Sequence, residues 1–184
     1  PAQGDLVTTP DSGIGYVAGV SYEMPEIALK VLLTQAPGID IVVPTTVVGS
    51  GTVSQPSFTT LEFETGIANN TLMFGSIHQG EHASAQVKLN GIGAISSFTD
   101  GEKYNIGVGR KFSEKLSGSF SYTTEEGSSA TGTSLLSPTN GTDTYSIGVN
   151  YVTESVDVAF GYAMSSFGDK AVTTAYGTGN FTNN

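Results

Sequence analysis

The sequence predicts an all-β protein built as an antiparallel transmembrane β-barrel. Two neighbouring segments, residues 143–152 and 156–164, alternate apolar residues with small or polar ones over about ten positions each. The polar turn Thr153-Glu154-Ser155 separates them. A strand of this length with one apolar and one polar face suits a membrane barrel, because lipid contacts one side and water the other. No run approaches the about 18 consecutive apolar residues that a transmembrane helix needs.

The composition of the 184-residue chain excludes several function classes. Charged residues make up only 13% and there are 24 glycines, which is unlike an ordinary α/β enzyme. Cys is absent, so disulfides, thiolate chemistry and Cys-based metal sites are excluded. A formal net charge of −10 argues against nucleic acid as a partner, because its phosphates would be repelled. The length fits one or at most two domains, and we treat residues 1–184 as a single β-barrel portion.

The rest of the chain is predicted to form further hairpins. After a loop or frayed end at 1–12, the predicted strands are residues 13–23, 27–34, 58–67, 71–79, 83–89, 103–112 and 116–124. Residues 26–35 (EIALKVLLTQ) also have helical propensity, but the short turn after a firm strand favours a second strand. In 71–79 the pattern leaves open whether Leu72 and Phe74 or Met73 and Ile77 face lipid.

Three long segments are predicted to be loops, and the chain end is also irregular. The loops are residues 36–57, with short extended pieces allowed at 39–43 and 45–48, then 90–102 and 125–142. Residues 165–184 are predicted to be a loop leading into an incomplete strand. Long connections at one end and three-residue turns at the other are typical of outer-membrane barrels.

A hairpin pattern recurs three times along the chain. Tyr-x-x-Gly-Val-x followed by Tyr or Arg begins at Tyr16, Tyr104 and Tyr145, and each copy precedes a short turn containing Glu. Tyrosines at one end and an aromatic residue or the cation Arg110 at the other suit the two interfacial belts of a membrane protein. The alternative interpretation is a soluble β-sandwich with ordinary hairpins.

These segments resemble the FadL/TodX family of outer-membrane transporters. The resemblance rests on residues 19–35 (GVSYEMPEIALKVLLTQ), 64–77 (ETGIANNTLMFGSI), 104–122 and 145–162, in the order of the C-terminal half of that family. It implies a fourteen-stranded barrel plugged by an N-terminal hatch, of which this chain would supply about ten strands. Neither the hatch nor an aromatic-terminated last strand is evident, so we expect a fragment of the barrel.

The resemblance also implies a function. Members of the family pass long-chain fatty acids or other hydrophobic small molecules through the outer membrane of Gram-negative bacteria by passive diffusion. We therefore expect a multi-pass barrel that is monomeric when full length, contacts outer-membrane lipid, uses no cofactor and is not an enzyme. The alternative is a non-transporting structural or adhesive β-barrel, or a secreted β-sandwich.

Two residue pairs are candidates for a metal site or a catalytic site. His78 and His82 would lie about 13 Å apart on a strand, too far to share one metal ion through bonds of about 2 Å. Family members often carry tryptophan in this region, whereas this chain has none. Glu62 and Glu64 would lie about 6.6 Å apart on one face, a separation used in glycoside hydrolysis. No sugar-binding aromatic platform accompanies them, so we interpret both as lining the barrel lumen.

The glycines at 13, 15 and 19 lack the spacing of a dinucleotide-binding loop. They begin a strand instead of joining a strand to a helix. We expect them to permit bends or close packing on the lumen side.

Ligand contacts are therefore expected only from residues predicted to face the lumen. The candidates are Lys30, Glu62, Glu64, Asn105 and Asn150, accompanied by Glu23, Lys88, Lys111 and Asp157. Lys30 is singled out because a cation in the lumen would pair with a fatty-acid carboxylate. The alternative for Lys30 is an internal salt bridge to Glu23 or Glu62. No catalytic, cofactor-binding or metal-binding residue is predicted.

Overall fold

The computed structural model describes residues 12–45, 49–94, 96, 98–127, 139–174 and 177–183. Within these residues the strands are β1 (Ala18–Met24), β2 (Leu29–Ala36), β3 (Ile39–Thr45), β4 (Gly49–Gln55), β5 (Phe58–Ala68), β6 (Thr71–Gly80), β7 (Val87–Leu89), β8 (Gly93–Ala94), β9 (Gly101–Lys111), β10 (Leu116–Glu125), β11 (Thr142–Val152), β12 (Asp157–Phe167), β13 (Lys170–Thr174) and β14 (Gly177–Phe181). Two single-turn 3-10 helices, Pro25–Ile27 and His82–Ser84, complete the elements. In these described ranges no helix has the length and apolar character to cross a membrane.

Eight of the strands form one antiparallel sheet with the order β1-β2-β5-β6-β9-β10-β11-β12. Sequential neighbours that are joined by tight turns meet at one end of the sheet, and the long connections leave from the other end. The predicted all-β antiparallel fold and the predicted asymmetry of its connections are confirmed. The helical alternative for residues 26–35 is wrong, because most of this segment belongs to β2, which pairs with β1 from Ala18↔Gln35 to Met24↔Leu29.

The register of the ladders sorts the side chains onto two faces. Ile147 pairs with Phe120 and Tyr162, whereas its neighbour Gly148 pairs with Ser119 and Gly161. Because paired positions lie on the same side of a pleated sheet, this alternation extends across all eight strands. The apolar face carries Val20, Tyr22, Val31, Leu33, Leu61, Phe63, Met73, Ile77, Ile106, Val108, Phe120, Ile147, Val149, Phe160, Tyr162 and Met164.

The opposite side, which we call the small-residue face, consists mostly of polar or small residues, and Leu32, Leu72 and Phe74 are large apolar residues on it. It carries Lys30, Leu32, Glu62, Glu64, Leu72, Phe74, Ser76, Asn105, Gly107, Gly109, Lys111, Ser117, Ser119, Ser121, Ser146, Gly148, Asn150, Ala159, Gly161 and Ala163. This register also decides which residues of β6 lie on each face. Met73 and Ile77 lie on the apolar face, and Leu72 and Phe74 lie on the small-residue face.

The described part of the chain has almost no dry core. Its buried hydrophobic residues are Ala36, Ala85 and Val172, all small or medium in size. Phe160 is 61% exposed and Tyr162 is 57% exposed, in the middle of a long strand. A β-sandwich would bury such residues between two packed sheets, so this arrangement does not favour the sandwich alternative. Instead, a continuous exposed apolar face requires a non-aqueous partner.

Two small sheets account for the segments where the predictions differ from the structure. Within the predicted loop 36–57, residues 39–45 and 49–55 form β3 and β4, which join β7 and β8 in a four-stranded sheet. The extended piece allowed at 39–43 is thus confirmed as a strand. The prediction that residues 83–89 form a barrel strand is wrong. His82–Ser84 is a 3-10 turn and β7 pairs with β4, with the Val87 N–H donating to Ser96 Oγ at 2.7 Å. Lys88 therefore lies outside the eight-stranded sheet.

The chain end also differs from its prediction. β13 and β14 pair with each other as a separate hairpin, instead of forming a loop and an incomplete strand. Burial lowers the pKa of Lys170 in that hairpin. Eight of the about ten expected strands thus belong to the large sheet, and the other two segments belong to the small ones. Parts of the predicted loop 125–142 and of the extended piece 45–48 fall outside the described residues.

The first strand is shorter than its alternation predicts. The ladder begins at Ala18, which pairs with Gln35, and only Ala36 of β2 remains beyond that pair for residues 12–17. That segment lies instead against β3. A Cβ atom on Gly15 would be 2.2 Å from Ile39 Cδ1, so a larger residue there would displace the Ile39 side chain. Gly13 and Gly15 thus pack closely against β3, whereas Gly19 lies against β2.

Candidate functional site

The small-residue face contains two depressions at different heights along the strands. The first has a volume of about 390 Å³ and is lined by Lys30, Leu32, Glu62, Phe63, Glu64, Phe74, Gly75, Ser76 and Asn105. We call it the acidic depression. The second has a volume of about 710 Å³ and is lined by Ala28, Gly66, Ala68, Asn70, Thr71, Leu72, Gly109, Arg110, Lys111, Ser117, Gly118, Ser119, Gly148, Val149, Asn150, Ala159 and Phe160. It lies next to the tight turns, and we call it the turn-end trough.

Four of the five predicted ligand-contact residues meet in the acidic depression. Lys30 Nζ lies 3.3 Å from Glu23 Oε1, and the same lysine is paired across the sheet with Glu64. The internal salt bridge to Glu23, foreseen as the alternative for Lys30, is thus present. Its two side chains are 48% and 60% exposed, so we expect the pair to contribute no more than about 1 kcal/mol to stability.

The electrostatics of the acidic depression do not favour an anionic ligand. Glu23, Glu62 and Glu64 provide three carboxylates against the single ammonium of Lys30. Asn105, on the opposite wall, is already engaged, because its Nδ2 donates to Thr123 Oγ1 at 2.7 Å. A contact of these residues with a ligand stays a prediction.

The fifth predicted residue, Asn150, lies in the turn-end trough. Ser117 pairs with Lys111 on one side and with Asn150 on the other, so the three residues form a row across β9, β10 and β11. Among the residues that the structure describes, Lys30 and Glu23 form an ion pair, whereas Lys111 forms no ion pair. The backbone N–H of Lys111 donates to Asn70 O at 2.8 Å, which holds the end of β9 to the neighbouring turn.

Phe74 and Gly107 were not predicted as site residues. The Phe74 ring lies over Gly107 on the small-residue face, where a Cβ atom on Gly107 would be 2.4 Å from Phe74 Cζ. Phe74 separates the acidic depression from the turn-end trough and is the large aromatic residue between them on β6. The signal in the sequence was a glycine inside a strand, which marks a close approach of another group.

The two histidines lie in different elements. His78 is in β6, where its Nδ1 is 2.8 Å from Thr60 Oγ1 and its ring lies 5.6 Å from that of Phe58. His82 is in the 3-10 turn that follows β6. No group of three or more His, Cys, Asp or Glu side chains able to hold a metal ion is found among the described residues.

Tyrosines mark the long-loop end of the apolar face. Tyr104 donates its hydroxyl to Glu102, and Tyr122 donates to Asp143. The rings of Tyr122 and Tyr145 lie 5.0 Å apart. An apolar ring with a polar tip suits a membrane interface.

The apolar band has a length suited to a bilayer. On β11 it runs from Tyr145 to Tyr151, which is roughly 20 Å of strand at about 3.3 Å per residue. This is of the order of the about 25 Å apolar band of outer-membrane barrels. At its turn end, Arg110 lies opposite Thr71 and Gly118. That position matches the interfacial cation expected from the repeated hairpin.

Comparison with known proteins supports the fold. No protein-family profile matches the chain, and no curated protein matches it significantly. Among the solved structures that resemble it is the crystal structure of a Pseudomonas aeruginosa FadL homologue, with a TM-score of 0.70 at 11% sequence identity. The similarity covers 87% of this chain and 45% of that chain, so this chain spans less than half of the solved one. The chain therefore has the antiparallel β-barrel fold of a FadL homologue over most of its length.

Proposed function

We propose that this chain forms part of the wall of an outer-membrane β-barrel that passes hydrophobic small molecules, such as fatty acids, by passive diffusion. The observation that carries the proposal is the two-faced sheet. One face is apolar, exposed and bordered by tyrosines, and the other is polar or small and contains two depressions. The fold shared with a FadL homologue supports the same interpretation.

In this proposal each face has a separate role. The apolar face lies in the lipid of the outer membrane, which explains why charged residues are absent from the band between Tyr145 and Tyr151 on β11. The small-residue face borders the path of the ligand, where glycines and serines leave space. The ligand moves down its own concentration gradient, and the chain contributes a shaped surface instead of a reacting group.

The rival function is a structural or adhesive barrel that transports nothing. It would share the membrane location but would not need an open path along the small-residue face. A secreted protein, in contrast, would stay folded and monomeric without detergent. Uptake measurements therefore separate the transporter from the inert barrel, and detergent dependence separates both from a secreted protein.

Uptake should depend on the turn-end trough. Replacing Ala159, which lines the trough, with tryptophan should reduce uptake of radiolabelled oleate several-fold, because the larger side chain occupies the path. The substitution Tyr162→Trp changes the apolar face of the same strand outside the trough and should leave uptake unchanged. The measurement uses Gram-negative cells that lack their own fatty-acid transporter and express the full-length protein, with surface amounts matched between variants.

Two outcomes would count against transport. If the unsubstituted protein gives no more uptake than empty cells, the transport function is wrong. If Ala159→Trp and Tyr162→Trp behave alike, the path does not follow the small-residue face.

A further inference from the structure

The turn-end trough has a polar end and an apolar floor. Lys111, Ser117 and Asn150 form its polar row, in which successive Cα atoms are about 4.5–5.5 Å apart. All three side chains can donate hydrogen bonds. The next row along the strands consists of Leu72, Gly109, Ser119 and Gly148. A ligand that fits both rows has a hydrogen-bond-accepting head and an apolar tail.

The positive charge of Lys111 favours a ligand whose head group is negatively charged. The Lys111 ammonium has no carboxylate partner within 4.0 Å among the described residues, whereas Lys30 is paired with Glu23. The other small-residue-face carboxylate at the turn end, Asp157, belongs to β12, three ladders away from β9. An incoming anion therefore meets an unpaired cation at Lys111 but three carboxylates around Lys30.

The direction of the tail follows from the shape of the face. From Lys111 the small-residue face continues through Gly109 and Gly107 to Asn105, which spans roughly 20 Å of β9 at about 3.3 Å per residue. Phe74 covers Gly107 on this path and offers an aromatic surface to an alkyl chain. Beyond Phe74 lies the acidic depression, which disfavours a carboxylate.

We infer that the turn-end trough binds an anionic amphiphile with its head at Lys111 and its tail directed toward Phe74. This inference rests on the proposed transport function and specifies the charge and the orientation of the ligand at that site. A charge-assisted hydrogen bond from Lys111 to a carboxylate supplies the selectivity. Ser117 and Asn150 add neutral hydrogen bonds from the same row.

The test compares three probes that share one alkyl chain: dodecanoate, dodecanol and dodecyltrimethylammonium. Binding to the full-length protein is measured in phosphatidylcholine nanodiscs, with empty nanodiscs as background. Lys111→Met should weaken dodecanoate binding about tenfold, as expected for the loss of one charge-assisted hydrogen bond, and leave dodecanol binding unchanged. Lys111→Arg should retain binding of dodecanoate.

Lys103→Met is the matched control, since it removes the same charge from the same face of β9 at the far end of the strand. It should not weaken dodecanoate binding. Equal effects of Lys111→Met on dodecanoate and dodecanol, or no effect on either, would overturn the inference. Preference of the unsubstituted protein for dodecyltrimethylammonium would overturn it too, but transport of hydrophobic molecules would stand. If none of the probes binds above the empty nanodiscs, the proposed function fails together with the inference.

Discussion

Replacing Ile147 with arginine should lower the free energy of unfolding from a lipid bilayer by about 2–4 kcal/mol, the cost of an arginine near the bilayer midplane. Ile147 lies in the middle of the apolar band and pairs with Phe120 and Tyr162, so its side chain has no charged neighbour across either ladder. Denaturant titration of the protein folded into phosphatidylcholine vesicles measures the change.

The adjacent substitution Ser146→Arg provides the control. Ser146 lies on the small-residue face between Ser121 and Ala163, where an added guanidinium reaches water. We expect its effect on the free energy of unfolding to be much smaller than that of Ile147→Arg. Equal costs at the two positions would mean that the two faces of β11 do not differ in environment.

Replacing Gly107 with valine should destabilise the protein by about 1–3 kcal/mol, although valine is a better strand former than glycine. A Cβ atom at this position would lie 2.4 Å from Phe74 Cζ and 2.8 Å from the backbone oxygen of Phe120. The ring can move, but the backbone oxygen belongs to the β9–β10 ladder. Adding Phe74→Ala should therefore recover only part of the loss.

Gly161→Val is the matched control for Gly107→Val. The nearest atom to a Cβ on Gly161 is Ile147 O at 4.0 Å, so valine fits there without strain and should be neutral or stabilising. Urea unfolding in the same vesicles compares the two variants. A Gly107→Val protein as stable as the Gly161→Val protein would show that Phe74 does not lie over Gly107.

The large sheet could be predicted because each strand carries its own local signal. In β11 and β12 the alternation is continuous, and a shift of one residue would move every apolar side chain to the wrong face, so the register is strongly specified. The segment 83–89 alternates equally well, yet it is not in the large sheet. Its partner is β4, more than thirty residues away, and no local pattern encodes that pairing.

The candidate site could be predicted only in part, for a similar reason. Alternation assigned both Lys30 and Lys111 to the same face, but it does not reveal which cation a carboxylate neutralises. That depends on the cross-strand pairs, in which Glu23 is opposite Lys30 and Ser117 is opposite Lys111. Phe74 was ambiguous because both faces of β6 carry large apolar residues, and only the pairing with β5 distinguishes them.

We propose that the apolar face contacts lipid and that the small-residue face does not. The chain contains no tryptophan, so Phe160→Trp and Ala159→Trp each introduce a single fluorophore on opposite faces of β12. In vesicles of brominated phosphatidylcholine, we predict strong quenching of Trp fluorescence for Phe160→Trp and little for Ala159→Trp, which aqueous acrylamide should quench instead. Equal quenching of the two variants by the brominated lipid, or none for Phe160→Trp, would contradict the claim.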